Sequence, residues 1–389
     1  MSDATVVVTM TENVTGLRLA VSLNSDLSSP IYAGPEDTVG RVARFDVSGL
    51  AAGTQYYYGV ELDGELLTKK IGKLKTKPAA SFKFAFASCN SSGSDSAVFD
   101  AIVAEDPDFF IHVGDLHYED ISSADIALFN DAFNVTLASG PGRLFSNVAT
   151  HYIFDDHDYG PNDSDGTFVG RAQSVEAYRQ RVPHPTLEEA GPDGAIYHSF
   201  EVGRCVFIMT DLRSRASPKG ATDDASKTMM GATQKAWFKD LLSDPANAGK
   251  FFFWCSSRVF TTTTIAGHDS WAGFTTERTE IADHIKANCL GRIAILTGDR
   301  HQLGIDDGTN SDYATGGGGP VPVFMAAPLD RATNTHGSGT FSEGVSSGQG
   351  QYGIVEVTDS GGSTITIDMT GTNTAGATLA TLQLTPDLS

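Results

Sequence analysis

Cysteine, aspartate, tyrosine and histidine recur in this chain directly after short apolar runs. Cys89 follows Phe82–Phe86, and Asp115 follows Phe109–Val113 with Tyr118 three residues on. Asp155, Asp156 and His157 follow Tyr152–Phe154, Asp211 follows Val206–Met209, and Asp299 and His301 follow Ile293–Leu296. Carboxylate, imidazole and phenolate are hard-to-borderline ligands suited to iron, zinc or manganese. A carboxylate at a strand end can bridge two cations with its two oxygens, and a tyrosine beside it can bind a trivalent metal as phenolate. The repeated Gly-Asp step, at Gly114-Asp115 and Gly298-Asp299, points to one divided site. If the chain runs extended through Asp299–His301, alternation turns those two side chains to one side and Arg300 to the other.

The stretch "FDDHDYGPNDSDG" packs Asp155, Asp156, His157, Asp158, Asn162, Asp163 and Asp165 into eleven positions. So dense a set of acids is costly without a counter-ion. An EF-hand does not explain it, because aligning Gly166 with the loop glycine puts Pro161 and Ala172 at the first and last ligand positions. Asp156 is therefore read as a metal ligand and His157 as a proton donor or phosphate contact, with Asp155 and Asp158 as supporting or turn residues. Arg213 and Arg215, after Asp211, have the geometry to bind phosphate oxygens bidentately, or else pair within the fold. Ser256, Ser257 and Arg258 could line the same cleft. His268, Asp269 and Trp271 either form a substrate rim or pack. "FASCNSSGSDS" is neither a cysteine-phosphatase loop, lacking a closing arginine, nor a P-loop, lacking a following lysine.

Short apolar runs bounded by turn residues read as buried strands. In open α/β sheets, ligands collect at the carboxyl ends of strands. From Phe82 onward the rhythm is strand, loop, helix. Ser96–Glu105 reads as a helix, Thr233 as the cap of one carrying Trp237, Leu241 and Leu242, and Thr276 as the cap of another carrying Ile281 and Ile285. Residues 350–388 return to strand character. Before Phe82 the chain reads as an all-β module with strands at Thr5–Met10, Leu17–Ser22, Val39–Val47, Gln55–Leu62 and Lys69–Leu74, then a linker "KTKPAAS". "VSGLAAGTQYYYGVELDG" resembles a strand pair of a fibronectin type III-like sandwich. Gly316–Gly319 and the Gly/Ser-rich 337–350 read as loops.

With 389 residues, 40% of them hydrophobic, the chain can bury a large core. A net charge of −21 argues against a nucleic-acid-binding surface and means that an anionic substrate needs cations in the site. No apolar run reaches eighteen residues, so no transmembrane segment is expected. No leader opens the sequence, which leaves the compartment open between a cytoplasmic protein and one whose leader has been removed. Four widely spaced cysteines without a CxxC pair do not suggest a disulfide framework; Cys205, Cys255 and Cys289 read as core.

Taken in order, "FASCN", "HVGDLHYED", "FDDHDYG", "TDLRSR", "QKAWFKDLL", "DSWAGF" and "LTGDRH" resemble the PhoD-type alkaline phosphatase/phosphodiesterase family of the calcineurin-like metallophosphoesterase superfamily, over about residues 80–305. The resemblance implies an α/β (α+β) fold: a four-layer αββα sandwich over 79–389 behind an N-terminal fibronectin/Ig-like all-β domain over 1–78. It implies Cys89, Asp115 and Tyr118 as ligands of a ferric ion with Asp115 bridging, and His301 and Asp299 shared between that ion and a second. Asp156 would serve the second metal, which is calcium first, or zinc or manganese. His157 and Arg213 would be catalytic, and Asn162 and Trp271 would meet substrate. The implied activity is hydrolysis of small phosphate monoesters or diesters by a metal-generated hydroxide, outside the cell or in the periplasm. The alternatives are a phospholipase D-like phosphodiesterase and a non-catalytic metal-binding surface module. The chain departs from the family pattern at Phe154, often Trp there, and at Asp158, often Glu.

Overall fold

Strands buried on both faces must be apolar at every position, and the runs after Phe82 meet that demand. The computed structural model describes residues 2–262, 265–333 and 341–389. In it, Phe82–Ala87, Phe109–His112 and Thr150–Tyr152 pair in parallel as half of a six-stranded sheet. The antiparallel strands Gln351–Thr358, Thr366–Asn373 and Thr378–Leu384 complete it, the first of them paired with Phe82–Ala87. A seven-stranded sheet holds Cys205–Met209, Phe251–Ser256, Ile293–Thr297 and Val323–Ala326 in parallel.

Alternation along these strands explains the layering. Phe84 and Phe86 turn toward the other sheet, where Phe84 meets Phe207 and Phe253 edge-on at 5.2 Å and Phe86 meets Phe324 at 4.7 Å. Ala85, Ala87 and Phe110 turn outward onto Val98, Phe99 and Ile102 of the helix Ala97–Ala104, which Ser96 caps. On the second sheet, Phe207, Phe253 and Leu296 face inward. Val206, Ile208, Phe252, Trp254 and Ile295 face out onto Phe238, Leu242, Ile281 and Ile285 of the helices Gly231–Ser243 and Thr275–Asn288. The result is an α+β sandwich in four layers, helix, sheet, sheet, helix.

Two helix starts differ from the sequence reading. Thr233 lies inside Gly231–Ser243, whose cap is Met230. Thr276 lies inside the first turn of Thr275–Asn288, and Asp223, from a distant loop, accepts from the Thr275 and Thr276 amides. The capping carboxylate thus comes from tertiary structure, where local spacing cannot reveal it.

Residues 2–75 form two small antiparallel sheets. Ser2–Thr9 pairs with Val42–Leu50, and Leu17–Ser22 lies between Ile31–Glu36 and Gln55–Leu62, with Gly72–Lys75 beyond. Leu19, Val21, Phe45, Val47 and Tyr56 close a core between them. The sequence reading missed Ile31–Glu36, since "IYAGPE" carries a Gly-Pro break and is a largely exposed edge strand. Cys205, Cys255 and Cys289 are buried and free, as expected. Gly316, Gly317 and Gly318 form a left-handed turn. Of the stretch 337–350, residues 337–340 lie outside the described residues, and the short strand Val345–Ser346 lies within it.

Phe207 sits at the centre of the aromatic layer, stacked on Phe200 at 4.8 Å and Phe253 at 5.0 Å with Phe84 and Phe109 at its edges. Phe207→Ala is expected to cost about 3–5 kcal/mol, measured by chemical denaturation.

Candidate metal centre

The parallel strands deliver their last residues to a common rim, and sharp turns fold the ligand-type side chains inward. Cys89, Asp115, Asp299 and His301 all have left-handed backbones, at φ of 63°, 58°, 70° and 49°. Such conformations are uncommon for residues other than glycine and persist only where the surroundings hold them. The two Gly-Asp steps have a steric reason. A Cβ on Gly114 would stand 2.6 Å from Asp155 Cβ, and one on Gly298 would stand 2.3 Å from Ser88 Oγ. Each glycine therefore admits the neighbouring strand end. Asp299–His301 is not extended, so side-chain alternation does not operate there. Arg300 instead reaches His268 Nε2 at 3.1 Å.

Backbone and side chains lash the loops together. The Cys89 and Asn90 amides donate to the Gly114 and Asp115 carbonyls, and Asn90 Nδ2 donates to Leu116 O at 2.8 Å. Buried Asp158 accepts from the Leu116 amide (2.8 Å), the Asp155 amide (2.6 Å) and the Tyr152 hydroxyl (2.5 Å). It thereby clamps the Asp115 loop to the one-turn helix Asp156–Tyr159.

Two triads share Asp115: Cys89/Asp115/His301 and Asp115/Asp156/His157, each with its ligand atoms within 4.8 Å of one another. Tyr118 joins the first, its hydroxyl 2.8 Å from Asp115 Oδ2 and 2.7 Å from His301 Nε2. Cys89 Sγ lies 3.4 Å from the same Asp115 oxygen. His301 Nδ1 is 2.7 Å from the Ala332 carbonyl and must donate to it, which leaves a lone pair on Nε2 facing the cluster. The single Tyr118 proton cannot serve both Asp115 and that lone pair. Asp115 Oδ1 and Asp156 Oδ1 are buried without a hydrogen-bond partner. Burial, then the charges of Asp156 and Asp155, push the Asp115 carboxyl well up; burial, then Asp155 and Asp156, do the same to Asp299. Burial, then Asp115, raises the Cys89 thiol and the Tyr118 phenol. Acceptors outnumber protons, and each acid opposes ionisation of the next. A cation removes both conflicts, so these residues fit a metal centre.

Asp299 lies outside those triads, beside Arg300 at 3.8 Å. His157 is half-buried, its Nδ1 2.6 Å from Asp120 Oδ1 and its ring 4.1 Å from that of Tyr118. Asp120 was not foreseen, although "HYED" displays it two residues beyond Tyr118. Asn162 is exposed, with no side-chain hydrogen bond among the described residues.

Two nominated residues stand elsewhere. Trp271 is fully buried between Trp254 and Phe260, and its indole N–H donates to Ser256 Oγ at 3.1 Å. It belongs to the core under the outer helices and is no substrate rim. Arg213 is fully buried too. It holds Asp155 at 2.5 Å, Asp269 at 2.8 Å and Asp156 at 3.3 Å, so its role is to support the acids. Burial opposes the guanidinium charge, yet these three carboxylates drive its pKa well above the ordinary value. Burial would likewise raise the Asp269 carboxyl, but Arg213 and Arg258 outweigh it and bring Asp269 down to about 2. Ser257 Oγ also donates to Asp155, at 2.9 Å. Arg213→Gln leaves three buried carboxylates short of their counter-ion and is expected to cost about 3–5 kcal/mol. Arg213→Lys should recover part of it, both variants being read by urea denaturation.

The family model for PhoD-like phosphatase matches residues 142–374. That span holds Asp156, His157, Arg213, Asp299 and His301, whereas Cys89, Asp115 and Tyr118 precede it. Alkaline phosphatase D of Bacillus subtilis (strain 168) is 27% identical over 308 residues, covering 66% of this chain and 52% of that protein. The chain thus spans about half the length of this curated relative. The solved structure of PhoD superposes with a TM-score of 0.76 at 18% identity, covering 100% of this chain and 89% of that one, which is a likeness of fold. With more than half of its length matched by the family model, on a four-layer sandwich of the same fold, this chain belongs to the PhoD-like phosphatase family.

Proposed function

We propose that the chain is a metal-dependent phosphoesterase acting on small phosphate monoesters or diesters. The observation that carries this reading is the sharing of Asp115 between two ligand-type triads. Cys89, Asp115, Tyr118 and His301 would hold a ferric ion. Asp115, Asp156 and Asp299 would hold a divalent one, calcium first, with zinc or manganese as alternatives. Bound there, such cations lower the pKa of a water toward neutrality and neutralise phosphoryl oxygens, which answers the repulsion between an anionic substrate and a protein of net charge −21.

The chain's own groups do the rest. The Asp120 carboxylate accepts from His157 Nδ1, which fixes the ring, and the Nε2–H of the imidazolium form would give its proton to the leaving alkoxide, returning the ring to neutral. Arg213, buried beneath, holds Asp155, Asp156 and Asp269 in place. The division into a β module over 1–78 and a phosphoesterase body over 79–389 belongs to the same proposal, supported by their separate sheets and cores. So does an extracellular or periplasmic setting, which rests on the family. No helix among the described residues is long and apolar enough to cross a membrane.

Asp115→Asn is expected to abolish hydrolysis of a chromogenic phosphate ester and to strip metal while the fold survives. Turnover that persists in this variant would refute the bridging role. Elemental analysis of natively purified protein should find iron together with a divalent metal, with a purple tyrosinate band that Tyr118→Phe removes. Asp120→Asn should lower kcat about tenfold or more with KM little changed, read in steady-state kinetics.

A further inference from the structure

The phosphoesterase reading leaves one need unmet. A phosphate ester brings negative charge to a cluster of acids, yet the cations around that cluster are committed to protein carboxylates. Arg213 holds three of them, Arg258 faces Asp269 at 3.6 Å, and Lys219 pairs with Asp163. Arg331 differs. Its guanidinium carbon sits 3.8 Å over the centroid of the Tyr118 ring. Among the described residues it has no carboxylate within ion-pair distance and its side chain makes no hydrogen bond, although Nε is buried.

The position is built. The Asp330 and Arg331 amides approach the Cys89 carbonyl at 3.5 and 3.4 Å. The Asp330 carboxylate accepts from the Ser91 amide at 2.6 Å and from the Ser94 hydroxyl. Gln349 Nε2 donates to the Arg331 carbonyl at 3.0 Å, and His301 holds the next carbonyl, that of Ala332. The loop is thus fastened to two of the expected ligands. Stacking on an aromatic ring occupies the face of a guanidinium and leaves its in-plane N–H donors available for a bidentate anion. Arg331 and His157 both lie against the ring of Tyr118, whose hydroxyl marks the cluster.

We propose that Arg331 binds the non-bridging phosphoryl oxygens of the substrate and recognises the second negative charge that separates a phosphate monoester from a diester. This rests on the phosphoesterase reading above. At alkaline pH a monoester carries two charges and a diester one, so a cation without a carboxylate partner favours the monoester.

The test is steady-state hydrolysis of p-nitrophenyl phosphate and bis-p-nitrophenyl phosphate by the full, metal-loaded chain as wild type, Arg331→Gln and Arg331→Lys. Arg331→Gln should raise KM for the monoester about 10- to 100-fold and for the diester distinctly less, with metal content and melting temperature unchanged. Arg331→Lys, keeping the charge and losing the fork, should recover part of the loss. A KM within twofold of wild type for both esters, or equal losses on both, overturns the proposal. If the wild type hydrolyses neither ester, the phosphoesterase reading fails instead. Calorimetric titration with inorganic phosphate then decides Arg331 separately: weakening of about tenfold in Arg331→Gln sustains it, and unchanged affinity refutes it.

Discussion

Crowded negative charge at the rim of two packed sheets is the constraint around which this structure is arranged. Asp115, Asp155, Asp156 and Asp158 are all buried, within a single span of the chain and its neighbouring strand end. Buried carboxylates this close cannot all ionise unaided. The protein meets the problem differently on the two sides of the cluster. Beneath, Arg213 and Arg258 hold Asp155, Asp156 and Asp269. Above, Asp115 has an unpartnered oxygen and shares its other one with a thiol and a phenol. The lower charges are settled by the chain itself, while the upper ones are left for cations.

Holding that arrangement requires backbone that ordinary residues avoid. Four ligand-type residues occupy left-handed conformations at strand ends. The close approach of Asp155 to Gly114, and of Ser88 to Gly298, presses these turns against one another. Asp158 serves as both a helix cap and a cross-loop clamp. Rigid turns suit a site whose ligands must already be in place when a cation arrives.

Much of this was legible in the sequence. The site-bearing strands were readable because burial on both faces forces unbroken apolar runs, and their ends were readable because turn residues interrupt those runs. Cys89, Asp115, Tyr118, Asp156, His157 and His301 converge as the strand-end rule required. What was not legible depends on the third dimension. Arg213 and Trp271 have residue types that suit a cleft as well as a core, and only burial separates the two uses. The cap of Thr275–Asn288 comes from Asp223, some fifty positions earlier. Asp299 and His301 share a rim through left-handed turns, which side-chain alternation cannot anticipate. Asp120 and Arg331 gain meaning only from the rings beside them, His157 for one and Tyr118 for the other.

The pairing of Phe82–Ala87 with Gln351–Thr358 has a consequence for how the molecule is made. Phe84 lies against Val355, so the strand that leads to Cys89 keeps an open edge until a segment far along the chain has been synthesised. Contacts so distant along the chain are slow to form, and a waiting strand edge invites pairing with another molecule. Emergence of Gln351–Thr358 from the ribosome is therefore the step that covers this edge.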